Sequence, residues 1–180
     1  KVVIGVSGGI DAAVNAALYR SILPAENILL VNTPTRYNSE LTKGLAAELA
    51  KNLGCQLLTV PIGDFIDETA DALEGLPLPD DTVHLTGFMK ENMQARDRSS
   101  RILAALSAAF GGIFTCNANK TETTVGYGTL YGDLAGAFAA TADLWKYQIY
   151  DLGRKLNAWY GRAVIPEGIF TVMPLSLIHI

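Results

Sequence analysis

Ser7, Gly8, Gly9 and Asp11 lie within five residues of one another, directly behind the apolar run Val2-Val3-Ile4-Gly5-Val6. A glycine pair between a strand and a helix can take positive φ and turn successive backbone N–H groups toward one point. That point faces a helix N-terminus, whose partial positive charge favours an anion, so the loop reads as a phosphate cradle. Three other readings compete. A Walker P-loop needs Gly-Lys-Ser/Thr, and no lysine occurs here. A dinucleotide fingerprint needs Gly-x-Gly-x-x-Gly, which Gly5, Gly8 and Gly9 do not supply. Gly5-Val6-Ser7-Gly8-Gly9 does match a Gly-x-Ser-x-Gly nucleophile elbow, yet only His84 and His179 are present to serve Ser7 as base. A tight turn using glycine for geometry alone is the plain alternative.

Further along, Asn92 and Arg96 are four apart and share a helix face, with Arg98 and Arg101 behind them. Taken alone, these arginines read as a solvated face. Asn117, Asn119, Lys120 and Glu122 follow a short buried strand, where binding residues often lie, although an ordinary turn would look the same. Tyr127, Thr129, Tyr131 and Asp133 crowd a glycine-rich loop, residues 126–136, that needs something packed in it to be still. Lys146 opens an amphipathic stretch and, by itself, reads as a surface lysine.

The elements that must position these residues alternate. Val2–Val6 is the first buried strand; Val14, Ala17, Leu18 and Ile22 stripe a helix that Pro24 ends. Ile28–Val31 is the second strand, and Ser39 is placed to cap a helix on which Leu41, Leu45, Leu49 and Leu53 recur before Gly54. Gln56–Val60 is a third strand, stopped by Pro61. This repetition predicts βαβ units and a parallel sheet, which binds ligands at the carboxyl ends of its strands, where Ser7 and Thr33 fall. An acidic helix is expected over Asp64–Leu73, a Pro/Gly linker over Glu74–Asp81, and a long helix over Glu91–Phe110 striped by Ile102, Leu106 and Phe110. Ile113-Phe114 is a short strand, and Leu144–Leu156 is a last helix with Tyr147, Tyr150 and Leu152 among its less polar positions.

With 180 residues, 49% of them hydrophobic, the chain suits one domain with a sizeable core. A net charge of −4 leaves no basic footprint for nucleic acid, and no apolar run is long enough for a membrane helix. Cys55 and Cys116 lack metal-site spacing and suit a reduced, cytoplasmic setting. The chain opens on a core strand without a methionine, as a piece of a longer protein would.

Ser7-Gly8-Gly9-Ile10-Asp11 resembles the Ser-Gly-Gly-x-Asp-Ser loop of the ATP pyrophosphatases, with Ala12 where that family has serine. The other constellations narrow the resemblance to NAD synthetases, in particular the synthetase domain of the glutamine-dependent type. Glu91-Asn92-Met93-Gln94-Ala95-Arg96-x-Arg98 is similar to their Glu-Asn-x-Gln-Ala-Arg-x-Arg, and Asn119-Lys120-Thr121-Glu122 to their Asn-Lys-Ser-Glu. Gly126-Tyr127-x-Thr129-Leu130-Tyr131-Gly132-Asp133, Asp143-Leu144-x-Lys146 and Tyr37-Asn38-Ser39-Glu40 match in order.

The resemblance implies a three-layer α/β fold, a Rossmann-like parallel sheet of the adenine-nucleotide alpha-hydrolase (PP-loop) type, as a single domain over residues 1–180. It implies ATP and Mg2+ as cofactors, with Gly5, Val6, Ser7, Gly8, Gly9, Ile10, Asp11 and Ala12 around the ATP phosphates. Asn32 would border the adenosine, Asn117 would replace a threonine at the ATP site, and Lys146 would face the phosphates. Asp11 and Glu122 would hold the metal, and Asn92, Arg96, Glu122, Tyr127 and Asp133 would line the deamido-NAD site. Asp11, Glu122 and Lys146 carry the reaction: ATP activates the nicotinate carboxylate as an acyl adenylate, and ammonia displaces AMP to give NAD. A homo-oligomer is expected, with a glutaminase domain supplying ammonia in the full-length protein. Two departures stand out. Ala12 removes one hydroxyl donor, and the apolar Leu175–Ile180 replaces the family's continuation, which leaves a nucleotide-binding module without turnover as the alternative and a Ser7 hydrolase as the remotest one.

Overall fold

The computed structural model describes residues 1–35 and 40–172. The stretch Tyr37-Asn38-Ser39, with its expected Ser39 cap, and the tail from Pro174 fall outside them.

Four strands form one parallel sheet: β1 (Val2–Gly5), β2 (Ile28–Asn32), β3 (Gln56–Thr59) and β4 (Ile113–Phe114), in the order β3-β2-β1-β4. The register runs Val2 beside Ile28 and Ile113, and Leu29 beside Gln56. Side chains alternate across a strand, so the uninterrupted apolar runs feed two cores. Val2, Ile4, Ile28 and Leu30 pack on one face with α1 (Ile10–Ile22), α2 (Glu40–Leu53), α7 (Lys146–Trp159) and α8 (Glu167–Thr171). Val3, Leu29 and Val31 pack on the other with Ile62, Ile102 and Leu103. Fully buried side chains such as Ile4, Leu30 and Ile149 each contribute roughly 1.5–3 kcal/mol. The three layers and the parallel sheet are those expected.

Several local expectations change. Leu41 is exposed although Leu45, Leu49 and Leu53 are buried; in the first turn of α2 it is Thr42 that packs inward, against the Gly8 loop. Tyr147 is likewise exposed; α7 turns Ile149, Gly153 and Leu156 inward instead. After α3 (Gly63–Leu73), the expected linker folds back on itself, with Pro77 bridging Thr82 and the N–H of Val83 donating to the Leu76 carbonyl at 2.8 Å.

The long helix starts earlier than its apolar stripe suggested. Thr86 caps α4 (Gly87–Arg96) by accepting from the Met89 N–H at 3.3 Å, and exposed Phe88 and Met89 occupy the first turn. The chain then widens into a π-helical segment, Asp97–Leu103, before α5 (Ala104–Phe110). No propensity rule marks that change of pitch, and such segments often adjoin functional sites. Its last residue meets β1, where a Cβ added to Gly5 would lie 3.2 Å from Leu103. Among the described residues no helix is long and apolar enough to cross a membrane.

Sheet growth reverses beside β1: β2 and β3 lie to one side, β4 to the other. The loops leaving the carboxyl ends of β1 and β4 therefore flank a crevice at the reversal, the usual ligand position in such sheets.

Candidate functional site

The loop from Val6 to Gly9 leaves β1 in ladder register, the Val6 N–H still donating to Val31 at 2.8 Å. Gly8 then takes φ +87° against α2, where an added Cβ would stand 3.0 Å from the Thr42 carbonyl carbon and closer still to its oxygen. No L side chain fits there, so the glycine is demanded by both backbone and space. Gly9 begins α1 without any side-chain cap, which leaves the helix's first amides facing the loop. Ser7 is exposed at the bend, and Ala12 is 7% exposed and packed into the core.

Asp11 occupies the first turn of α1 and gathers partners from two distant loops. One carboxylate oxygen accepts from the Asn119 side-chain amide at 2.8 Å; the other accepts from the Lys146 ammonium. Asn119 ends the loop after β4 and caps α6 (Lys120–Val125): the Glu122 N–H donates to its side-chain oxygen and the Asn119 N–H donates to Glu122, both at 3.1 Å. Lys146 opens α7, its N–H donating to Thr121 at 2.9 Å. Its ammonium lies 3.9 Å from Glu122, so it stands between two carboxylates. Side-chain exposures of 17%, 18% and 19% for Lys146, Asp11 and Glu122 shield the group from the screening that weakens surface ion pairs. Asn117 ties the two strand ends together by donating to the Gly5 carbonyl at 2.8 Å.

Burial first, and then the Asp11 charge, push the Glu122 carboxyl above the usual carboxylate range, with Asp133 adding to the rise; the Asn119 N–H and Lys146 pull it down. A folded carboxyl with a raised pKa keeps its proton where the unfolded one has lost it. Stability therefore falls as pH climbs from the unfolded to the folded value, and the penalty is full above both. Glu122→Gln, which lacks that penalty, should melt higher than the parent chain at about pH 8 and match it near pH 4. Thermal melts of both proteins at the two pH values check this, and identical curves throughout would remove the repulsion.

A second group forms where α4 and the π-helical segment meet the loop 126–136. Thr129, buried, donates its hydroxyl to Asn92 at 2.8 Å and its N–H to Asp133 at 3.0 Å. Arg96 donates to the Leu130 carbonyl at 3.2 Å, and Ser100 donates to that of Tyr131. Tyr131 holds φ 62°, rare for a bulky residue, while its ring is exposed. A Cβ on Gly132 would meet Ala95 at 3.0 Å, so the loop is packed down on the helix rather than loose. Tyr127 is half-buried, and burial, then Glu91, Asp133 and Glu122, raise its hydroxyl pKa. That shift places Tyr127 within the field of both groups.

Residues 1–177 match the family model of NAD synthase. The chain belongs to the NAD synthase family. It is 40% identical over 179 residues to a glutamine-dependent NAD(+) synthetase of Thermotoga maritima, covering 98% of this chain and 30% of that protein. The Acinetobacter baumannii glutamine-dependent NAD+ synthetase, solved with adenosine diphosphate, superposes with a TM-score of 0.86 at 33% identity, over 97% of this chain and 32% of that one. NMN synthetase from Francisella tularensis gives 0.83 at 27% identity, over 97% and 66%. The chain thus spans about a third of the curated relatives it matches.

Within the chain, Asp11, Glu122 and Lys146 come together, and Asn92 and Asp133 are joined through Thr129. Arg96 lies on the same helix as Asn92 and is its last residue, one turn beyond Asn92. Asn32 is buried at the carboxyl end of β2, with its carbonyl accepting from Val60 at 2.8 Å. The sequence places Asn119 and Thr129 in their loops without showing which distant partners they bind. The Asn119-x-x-Glu122 spacing was a legible capping signal, whereas nothing local marked Thr129 as the bond between helix and loop.

Proposed function

We propose that this chain is the amidating unit of an NAD synthetase, converting deamido-NAD to NAD with ATP and ammonia. The observation that carries the reading is the meeting of Asp11, Glu122 and Lys146 beside the Gly8 loop, at the point where sheet growth reverses. The first amides of α1 and the Lys146 ammonium would take the pyrophosphate charge as it separates. Ser7, exposed at the bend, is placed to donate to phosphate. The carboxylate oxygen of the nicotinate attacks the α phosphorus, the bond to the β-phosphate oxygen breaks and pyrophosphate leaves. Ammonia then attacks the acyl carbon, loses a proton, and AMP departs with the electron pair of the broken C–O bond.

The two hard carboxylates, repelling each other and already drawing an ammonium between them, fit Mg2+, which binds through one or two carboxylates plus phosphate oxygens. Asp11 and Glu122 would hold it, and it would neutralise phosphate charge. Asn117 and Asn32 would border ATP, while Asn92, Arg96, Tyr127 and Asp133 would line the dinucleotide. The glutamine-dependent relatives support a glutaminase domain as the ammonia source. Cytoplasmic residence and homo-oligomeric assembly belong to the same proposal, as does a single domain over the whole chain; free, buried Cys55 and Cys116 suit a reducing compartment.

The deciding measurement is NAD formation with deamido-NAD, ATP, Mg2+ and ammonium, each omitted in turn, and with nicotinate mononucleotide as the competing acceptor. NAD formed only with all four supports the reading. Preference for the mononucleotide would move the substrate toward that of the Francisella enzyme's name. Binding of ATP without product in any mixture would favour the module without turnover, to which the buried, hydroxyl-free Ala12 points.

Arg96 tests the dinucleotide half. It is exposed and its Nε donates to a loop carbonyl, which leaves the two outer nitrogens of its guanidinium available to a phosphate. Arg96→Ala should weaken deamido-NAD about ten- to a hundred-fold, or roughly 1.5–3 kcal/mol, and leave ATP unchanged. Paired calorimetric titrations separate the outcomes: equal losses for both ligands mean a damaged fold, and no loss returns Arg96 to solvent.

A further inference from the structure

We infer that Asn119 is a positioning residue that sets the two carboxylates of the site in register with each other, an inference that rests on Asp11 and Glu122 being the cation ligands. Asn119 is fully buried, at 0% exposure, yet its side chain touches no apolar role that leucine or alanine would not serve better. Every polar group it has is spent. Its amide nitrogen donates to Asp11 at 2.8 Å, and its side-chain oxygen accepts from the Glu122 N–H at 3.1 Å. Its backbone N–H donates to the Glu122 carboxylate at 3.1 Å, and its carbonyl accepts from the N–H and hydroxyl of Thr123 at 3.2 Å.

The side-chain amide is planar, so its oxygen and nitrogen cannot be aimed separately. Once the oxygen is fixed by capping α6, the nitrogen is placed with it, and one of its two N–H bonds meets Asp11. The same residue holds Glu122 through its own backbone N–H. The carboxylates of Asp11 and Glu122, on two helices far apart in sequence, are thereby locked to a single residue. The lock occupies one oxygen of each carboxylate and leaves the other: Asp11 turns its second oxygen, and Glu122 its Oε1, toward the same ammonium of Lys146. A cap alone would need only an acceptor, which serine, threonine or aspartate supplies as well. The donor toward Asp11 is what asparagine adds. Outer partners of this kind typically change metal affinity by about 10- to 100-fold when removed.

The test replaces the donor and keeps the cap. Asn119→Ser retains an acceptor for the Glu122 N–H but is too short to reach Asp11; Asn119→Thr fills more of the space and stands in if the serine variant melts early. Mn2+ is titrated into the full chain with saturating non-hydrolysable ATP and followed by its electron paramagnetic resonance signal. ATP binding in chelator and melting without ligand are measured beside it. The expected result is a half-saturating Mn2+ concentration raised about 10- to 100-fold, with metal-free ATP binding within about twofold of the parent. A folded variant with an unchanged Mn2+ titration overturns the inference, as does an equal loss in metal-free ATP binding, which is what a merely structural asparagine would give. Asp11→Ala in the same titration identifies the cause of a negative result. If it abolishes binding while Asn119→Ser does not weaken it, only the role of Asn119 fails. If Asp11→Ala also changes nothing, the cation site itself is wrong, and the inference falls with it.

Discussion

Lys146→Met should slow pyrophosphate release in the complete reaction by about 100- to 1,000-fold, the loss usual when one preorganised charge is taken from a transition state. Methionine keeps the length and the apolar stem, so α7 retains its first turn while the ammonium disappears. What remains is Asp11 and Glu122 facing each other at less than one-fifth exposure, with the strongest opposing charge gone. Glu122, already raised by burial and by Asp11, should rise further. Single-turnover kinetics at saturating ATP and deamido-NAD measure the chemical step directly, and a thermal melt shows whether the variant is folded. A rate within about threefold of the parent would make Lys146 a structural counter-ion and no more. Lys146→Arg is no rescue in this argument, because a planar fork does not present charge as a compact ammonium does.

Gly8→Ala should be a strongly damaging addition of a single methyl group. The residue would have to hold φ +87°, and its Cβ would press on the α2 backbone at Thr42. Backbone cannot retreat as the end of a flexible side chain can. Strain of the left-handed region and overpacking together cost about 3 kcal/mol. For a chain of this size that lowers the melting temperature by roughly 6–12 °C. Gly9→Ala is the matched control: its added carbon would meet nothing nearer than the Ser7 hydroxyl at 3.5 Å, so stability should barely move. Loss of stability in both, or in neither, would break the link between Gly8 and α2.

Much of the architecture was open to sequence reading because local patterns and long-range packing agreed. The runs Val2–Val6 and Ile28–Val31 are buried on both faces, so no alternation was needed to recognise them, and Gly54 and Pro61 ended their elements where the backbone required. Leu41 and Tyr147 misled because apolar type alone does not say which face a helix turns inward: Thr42 packs in place of Leu41, and Ile149, Gly153 and Leu156 in place of Tyr147. The helix start at Gly87 was hidden because Phe88 and Met89 are exposed, which removed the stripe that normally announces a helix. The π-helical segment Asp97–Leu103 has no compositional signal of its own. At the site, the resemblance named Asp11, Glu122 and Lys146 and put the two carboxylates at one metal; the direct pairing of Lys146 with Asp11 came only from the structure. Thr129 stayed hidden because its two bonds reach Asn92 on a helix 37 residues earlier and Asp133 in its own loop.

The hydrogen bonds that gather on Asp11 join residues 108 and 135 positions apart. Closing such loops costs entropy that the first strands cannot recover, so these contacts form late in folding. The glycine turn, by contrast, joins the neighbouring elements β1 and α1 and is made by local geometry. During synthesis there is consequently an interval in which the chain has its glycine turn but neither Asn119 nor Lys146 to steady the carboxylate beside it. Nucleotide binding should therefore appear abruptly, once Lys146 has been added and freed to fold, rather than grow as the sheet does.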